Sequence, residues 1–479
     1  MKKVLRKIKE WAVAGWRRLL GLCGLGWTEV GTASELQSAV GVGKRRIRLT
    51  KDIELGAMLT IASGKRLTVD GNGGKQIYVR QDRKGFGFDG NCVVTELRLA
   101  KGRIEHEDGS VVDKAEVYPQ NVGVYRFKVG AGVGLVENRA NYVNFSCGWT
   151  AYTFPVVKIE KGYLYFKSQG AEYCLDFDYY QANSKKYTEY RLIGCDKTQY
   201  GKYALGLQGG RLKLKDLVVH GGIQNVGGRL TMEWCKVYDC TEHGVSSSDG
   251  NVNIEYCEFK NVWKSAVKVR TGKLAMVFNL LQEVNQGRTN YGAIDTDCEA
   301  VIDCNRLTNY GSYGIRVGKV KTEKSSECPT VVVSYNSLSQ NCKQGIVTDT
   351  GAIYIAANNH KTEIIDNTIS GYWGRKNNHG IYADDGAYNV YIRRNSISDN
   401  ATGYAISCRC ASYDASSSTY RGYGGGRPNT NREISENWCE SGIWFGGSTE
   451  VKDNGCKCWG NKVANRTEYK SKVENVEIG

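Results

Sequence analysis

The sequence predicts an all-β protein, a right-handed parallel β-helix, and three observations carry that expectation. A short unit recurs between residues 210 and 450: an Asn or Cys, any residue, then an apolar one. It appears at Cys235, Cys257, Asn279, Asn305, Asn336, Asn367, Asn395 and Asn437, at steps of 22, 22, 26, 31, 31, 28 and 42 residues. A single coil of about 22 residues cannot bury its apolar side chains, whereas stacked coils bury a continuous column. Each unit is followed by a small residue and an apolar one: Gly244-Val245, Ala266-Val267, Gly314-Ile315, Gly345-Ile346, Gly380-Ile381, Ala405-Ile406 and Gly442-Ile443. The composition agrees. With 58 Gly, only 4 Pro and 30 Tyr in 479 residues, collagen-like and Pro-rich disordered chains are excluded and an extended core can be filled. The missing leucine consensus excludes leucine-rich repeats. The short period and the missing Trp-Asp marks exclude a propeller.

Residues 1–27 read as a basic amphipathic helix, with Val4, Leu5, Ile8, Trp11, Leu19, Leu20 and Cys23 at helical spacing between Lys and Arg. It docks on a larger assembly, lies on an anionic surface or caps the protein's own core. The apolar stretch Trp11–Trp16 is broken by Arg17-Arg18 and no small-residue cleavage site follows, so the expectation is no signal peptide and synthesis in the cytoplasm. Residues 28–80 read as an N-terminal cap and first coils. They hold a helix over Ala33–Val40 capped by Thr32 or Ser34, then short β runs and the turn at Asp70-Gly-Asn-Gly-Gly. That turn lacks the Lys-Ser/Thr of a phosphate-cradling loop. Residues 81–200, rich in Tyr, Phe and Val, read as an inserted or flanking β subdomain. Residues 201–450 are the solenoid, with Asn at a recurring turn able to bond its copies above and below. Residues 451–479 read as a cap or tail. Steps longer than 22 mark insertions, which cluster on one face of a solenoid, often the binding face. The largest is Ser412–Asn431, with Tyr413, Tyr420 and Tyr423.

The net charge is +15, and residues 1–51 supply +9 of it. A nucleic-acid binder along the whole body is therefore disfavoured, while a polyanion or partner protein at the N-terminal segment is not. No apolar run reaches the ~18 residues of a membrane span. The 17 Cys show no zinc-ribbon spacing. Cys408 and Cys410, like Cys456 and Cys458, share a strand face and read as buried thiols rather than a metal or disulfide site. Many unpaired thiols fit folding in a reducing compartment. The five His show no metal-ligand spacing.

Stepping four residues past the small member of each pair places Ser248, Arg270, Gly318, Asp349, Asp384 and Arg409 in one column, with Asp295 or Asp297 beside it. Coils lie ~4.8 Å apart. Two carboxylates that close cannot both ionise cheaply, so one pKa rises, which is how an acid and a nucleophile separate in glycoside hydrolysis. Arg270, Lys268, Arg409 and Arg316 suit binding of acidic sugars. The competing reading is that these charges are solvated or paired ladder residues. His379, beside Gly380, is a substrate contact or a turn residue.

Asp349-Thr-Gly-Ala-Ile-Tyr354, then Gly380-Ile-Tyr-Ala-Asp-Asp-Gly386 and Val390-Tyr-Ile-Arg-Arg-Asn395, resemble motifs of bacterial parallel β-helix glycoside hydrolases and polysaccharide lyases. The Ala33–Asp70 opening is similar to the cap of pectate-lyase-like chains, and Tyr142–Phe166 resembles the β subdomain that precedes the coils in that group. The resemblance implies catalytic roles for Asp349, Asp384 and Asp385. The candidate substrate contacts are Arg270, Asp297, Arg316, Tyr354, His379, Tyr382 and Arg409. A β-helix body with a docking segment and no export signal also resembles bacteriophage tailspikes and tail fibres. This implies a homotrimer on a virion that binds or cleaves an acidic polysaccharide. Three activities stay open: hydrolysis by an Asp pair without a cofactor; elimination by a lyase with Lys268, Arg270 or Arg409 as base and Ca²⁺ at the uronate; and a non-catalytic structural or receptor-binding protein.

Overall fold

The computed structural model describes residues 26–81, 93–98, 105–110, 122–128, 142–147, 150–168, 189–194, 199–287, 290–318, 330–340, 350–356, 361–371, 378–384, 387, 389–398, 403–409, 412–414, 419–421, 432–446, 456–464 and 476–478. The chain is a parallel β-helix. Each winding contributes short strands to three faces, and each strand pairs in parallel with its counterpart one winding on. Such crossovers wind right-handed, because a right-twisted strand returns onto its sheet only in that sense.

The first face stacks Val267–Val269, Gly292–Thr296, Tyr313–Val317, Thr350–Ala356, Asn378–Asp384, Ile406–Arg409 and Ile443–Gly446. The second stacks Gly272–Val277, Glu299–Asp303, Thr330–Ser334, Lys361–Ile365, Val390–Arg393, Arg432–Ser435 and Cys456–Trp459. The third runs from Lys236–Cys240 through Leu280–Val284 and Thr368–Ser370 to Lys462–Val463. Earlier windings use longer strands, among them Arg66–Gln81, Arg211–His220, Gly222–Glu233 and Val245–Glu255, each serving two faces.

The strands hold because alternate residues point inward to identical positions in every winding. Val245, Val267, Ile294, Ile315, Ile353, Ile381, Ile406 and Ile443 are in register and fully buried. Burying each such side chain contributes about 1.5–3 kcal/mol, and no winding could do it alone. Cys408 and Cys458 lie buried in the same core.

The predicted Asn column forms a continuous ladder. Asn279, Asn305, Asn336, Asn367 and Asn395 each donate both the backbone amide and Nδ2 to Oδ1 of the next rung, at 2.9–3.0 Å. Cys235 and Cys257 begin the column, the Cys257 amide donating to Asn279 at 2.8 Å. The residue before each rung turns the corner in the left-handed region: Trp234, Tyr256, Phe278, Cys304, Tyr335, Asp366, Arg394 and Glu436 have φ between 52° and 58°. A non-glycine residue there costs roughly 1–2 kcal/mol, and the amide bonds of the rung that follows offset it.

Two boundaries differ from the sequence reading. Asn461 adds a further rung beyond Asn437, at 2.9 Å, and Cys456–Trp459 pairs onward with Val476–Ile478, so winding continues through the segment read as a cap. In the winding before Gly380-Ile381, the pair in register is Ala352-Ile353 rather than Gly345-Ile346, which lie outside the described residues. Two small-apolar pairs sit seven residues apart there, and spacing alone does not rank them.

The helix spans Ala33–Gly41, with Thr32 Oγ1 accepting the Glu35 amide at 3.2 Å and the Glu35 carboxylate accepting the Gly31 amide at 2.7 Å. Between Gln81 and Gln199 the chain builds a separate seven-stranded sheet with antiparallel pairing throughout, centred on Phe127, Phe154 and Phe166. The amphipathic segment 1–25 lies outside the described residues.

Candidate functional site

The outward side of the first face carries two neighbouring rows of polar and aromatic residues. One row reads Ser246, Lys268, Asp295, Arg316, Tyr354, Tyr382, Ser407, Trp444 in strict register. The other, two residues further along each strand, runs through Arg270, Asp297, Gly318, Ala356, Asp384 and Arg409. The place opposite Asp384 is therefore held by Ala356. The expectation that Asp349 stacks on Asp384 fails on register, because Thr350 already pairs with Asn378, six residues before Asp384. Asp349 and Asp385 themselves lie outside the described residues, as does the side chain of Arg409.

The structure brings together a different acidic pair, two residues apart on one strand. Arg316 Nη1 lies 3.1 Å from Asp295 Oδ1 and 3.5 Å from Asp297 Oδ1. Asp295 is fully buried, and its other oxygen accepts the Gly292 amide at 2.9 Å. Asp297 keeps 26% of its side chain exposed. Burial, reinforced by the Asp295 charge, holds the Asp297 carboxyl above the usual range, against the opposing pull of Arg316, Lys268 and Arg270. The Arg316 guanidinium is raised despite its burial, since Asp295 and Asp297 outweigh desolvation. Lys268 is buried with Nζ 3.5 Å from the centre of the Tyr291 ring.

Further along, aromatic rings take over. Tyr313 lies 4.5 Å from Tyr354, and Tyr354 lies 5.4 Å from Tyr382. Tyr382 meets His379 at 4.6 Å, and His379 stacks on Tyr404, which stacks on Trp444. The Tyr354 hydroxyl donates to Asp384 Oδ2 at 2.9 Å, and Asp384 is buried. Burial pulls His379 down to about 4, against the opposing Tyr404 contact, so it is neutral at pH 7. Its Nδ1 accepts the Tyr404 amide at 3.1 Å, and His243 accepts the Ser265 amide at the equivalent corner. Both rings satisfy a backbone amide, His379 from within the strand Asn378–Asp384.

Of the residues singled out from sequence, Arg316 and Asp297 are in contact, and Tyr354, Tyr382, His379 and Asp384 form a second cluster. Arg270 neighbours Asp297 across the strands. Tyr291, Tyr313, Tyr404 and Trp444 were not anticipated. Their signal was readable for two of them: Tyr313 and Tyr404 immediately precede Gly314-Ile315 and Ala405-Ile406, where His243 and His379 precede theirs.

No family model matches the chain, and no curated protein matches it. Solved structures do. A protein described as a glycoside hydrolase aligns over 92% of this chain and 93% of its own at 8% identity, with a TM-score of 0.38. A tailspike of the Acinetobacter baumannii bacteriophage AP22, solved in complex with A. baumannii capsular saccharide, aligns over 93% and 76% at 8% identity and a TM-score of 0.27. A tailspike of the Pseudomonas phage phi297 aligns over 79% and 72% at 10% identity and a TM-score of 0.15.

Proposed function

We propose that this β-helix binds a polysaccharide along its first face and depolymerises it by hydrolysis, with Asp297 as the proton donor. The observation that carries the reading is the Asp295–Arg316–Asp297 arrangement. Asp295 is sealed and fixed by an arginine and a backbone amide, while Asp297 is partly open and holds its proton to higher pH. A carboxyl that keeps its proton to higher pH than usual can protonate a leaving glycosidic oxygen, and burial beside another carboxylate is how such a group is tuned. Asp295 acts as a positioning charge rather than a nucleophile, because its side chain is 1% exposed.

The flank around this pair supports a sugar polymer. Tyr404 and Trp444 stack on each other and are half-buried, while Tyr313, Tyr354 and Tyr382 form a buried cluster on the same face. A partly open pair of rings and the exposed Arg270 suit contact with an acidic sugar chain. Phage-borne capsule recognition, a homotrimer and docking through residues 1–27 extend the same reading.

The test is a panel of acidic capsular and plant polysaccharides, scored for new reducing ends and for ultraviolet absorbance. Hydrolysis gives reducing ends without absorbance. Asp297→Asn loses at least a hundredfold in turnover while still retaining the glycan. Absorbance would mean elimination instead, and a glycan that binds the wild type without any product would make the flank a receptor site.

A further inference from the structure

A second charged surface lies on a different side of the solenoid, and the first-face chemistry does not use it. On the outward side of the second face, Arg66, Arg211 and Arg229 stand directly above one another in three successive windings. Two residues along, Lys213 stands between Thr68 and Thr231, and Arg46 pairs onto Thr68. Together with Arg45 these cations line a depression of about 290 Å³. It leads through Arg229 into a second one of about 400 Å³, floored by Thr231, Asn253 and Ala275. The trough therefore runs across several windings, parallel to the solenoid axis.

Three features set this row apart from ordinary surface charge. Its backbone spacing is the strand spacing, ~4.8 Å, so three arginine side chains of like charge leave the surface side by side. Among the described residues no carboxylate lies within ion-pair distance of Arg66, Arg211 or Arg229, whereas Lys213 and Lys273 are matched by Glu233 and Glu299. The fold does not need arginine there, since the same row continues through Asn251, Lys273 and Glu299 in later windings. A like-charged row without counter-charge costs stability, and a bound polyanion repays it.

We propose that this trough binds a linear acidic polysaccharide, with the Arg66, Arg211 and Arg229 forks each taking a carboxylate or sulfate. Guanidinium matches those groups bidentately, which a lysine cannot do. A single-stranded nucleic acid fits less well. The aromatic residues on the rim, Trp234, Tyr256 and Phe278, stack on each other at 4.5 and 5.2 Å, within 6° and 9° of parallel. Their inner faces are occupied, and no base can stack between them. The trough is independent of Asp297, so it would hold the polymer whether or not the first face cleaves it.

The experiment measures binding of fluorescent polygalacturonate to the full chain at low salt, with neutral dextran and a thymidine oligonucleotide as comparators. Polygalacturonate binds, dextran does not, and the oligonucleotide binds more weakly. The Arg66→Gln/Arg211→Gln/Arg229→Gln variant loses at least tenfold in affinity, and Lys457→Gln, an exposed cation outside both surfaces, binds as the wild type. Arg211→Lys, which keeps the charge and the fold, loses about threefold. Wild-type affinity in the triple variant, tighter binding of the oligonucleotide, or no binding of polygalacturonate would each overturn the proposal.

Discussion

Asp297 shows how far one side chain can be pushed by its surroundings, and the push is measurable in stability. Burial and Asp295 raise its pKa, so the folded state holds the proton to higher pH than the unfolded chain does. Its contribution to stability is fullest below the ordinary carboxyl range and falls as pH rises through the raised value. Asp297→Asn removes that loss. The variant gains on the wild type as pH rises above the ordinary carboxyl range, visible as a melting-temperature difference that grows with pH; a constant difference would contradict the assigned shift. His379 works in the opposite direction. Lowered to about 4 from 6.5, it supports the fold fully above its unfolded value and progressively less as pH falls towards 4. The shift corresponds to about 3 kcal/mol. In denaturant titrations from pH 7 to pH 4, His379→Gln should lose that much less stability than the wild type.

At the level of the element, the Asn ladder is what converts a sequence repeat into fixed register. Asn336 donates Nδ2 to Ile302, Ser334 and Asn367 and accepts two bonds from Asn305. Replacing it by Ala strands buried partners on both sides, and each unsatisfied group costs about 1–3 kcal/mol. Asn336→Ala should lower unfolding free energy by about 3 kcal/mol or more in urea, whereas Asn461→Ala, at the half-exposed last rung, should cost about 1 kcal/mol. The ladder was legible in the sequence because its chemistry tolerates almost nothing else at that turn. The first-face column was legible only in part. Arg270, Gly318 and Asp384 fall where stepping from the small-apolar pair puts them, but Asp349 does not, because the long insertion before it offers two pairs to count from. The Asp295–Arg316–Asp297 cluster was half visible for a related reason: counting reaches Asp297, while the arginine that joins it to Asp295 comes from the next winding.

For the whole molecule, stability is distributed winding by winding rather than stored in one centre, as in any solenoid where each repeat touches only its neighbours. The windings between Cys235 and Asn279 are the clearest unit, because both steps are 22 residues and neither carries an insertion. Removing Cys257–Phe278 takes out one entire turn. Tyr256 then leads directly into Asn279, Cys235 gains Asn279 as its next rung, and Val245 comes to lie against Ile294 in place of Val267. Every inward position is replaced by its own equivalent, so the shortened chain should fold, keep its β-rich circular dichroism and melt within a few degrees of the parent. Removing half that length, residues 257–267, exchanges faces instead of windings: the strand that must enter the second face arrives at the third. Inward residues would point out, as in any register slip, and the product should aggregate or melt without a cooperative transition. Equal tolerance of the two deletions would mean that the winding is not the unit of stability. The two charged surfaces would separate as well. The full-turn deletion removes Lys268 and Arg270 from the first face but leaves Arg66, Arg211 and Arg229 stacked, so polygalacturonate binding should survive in a protein whose first face is altered.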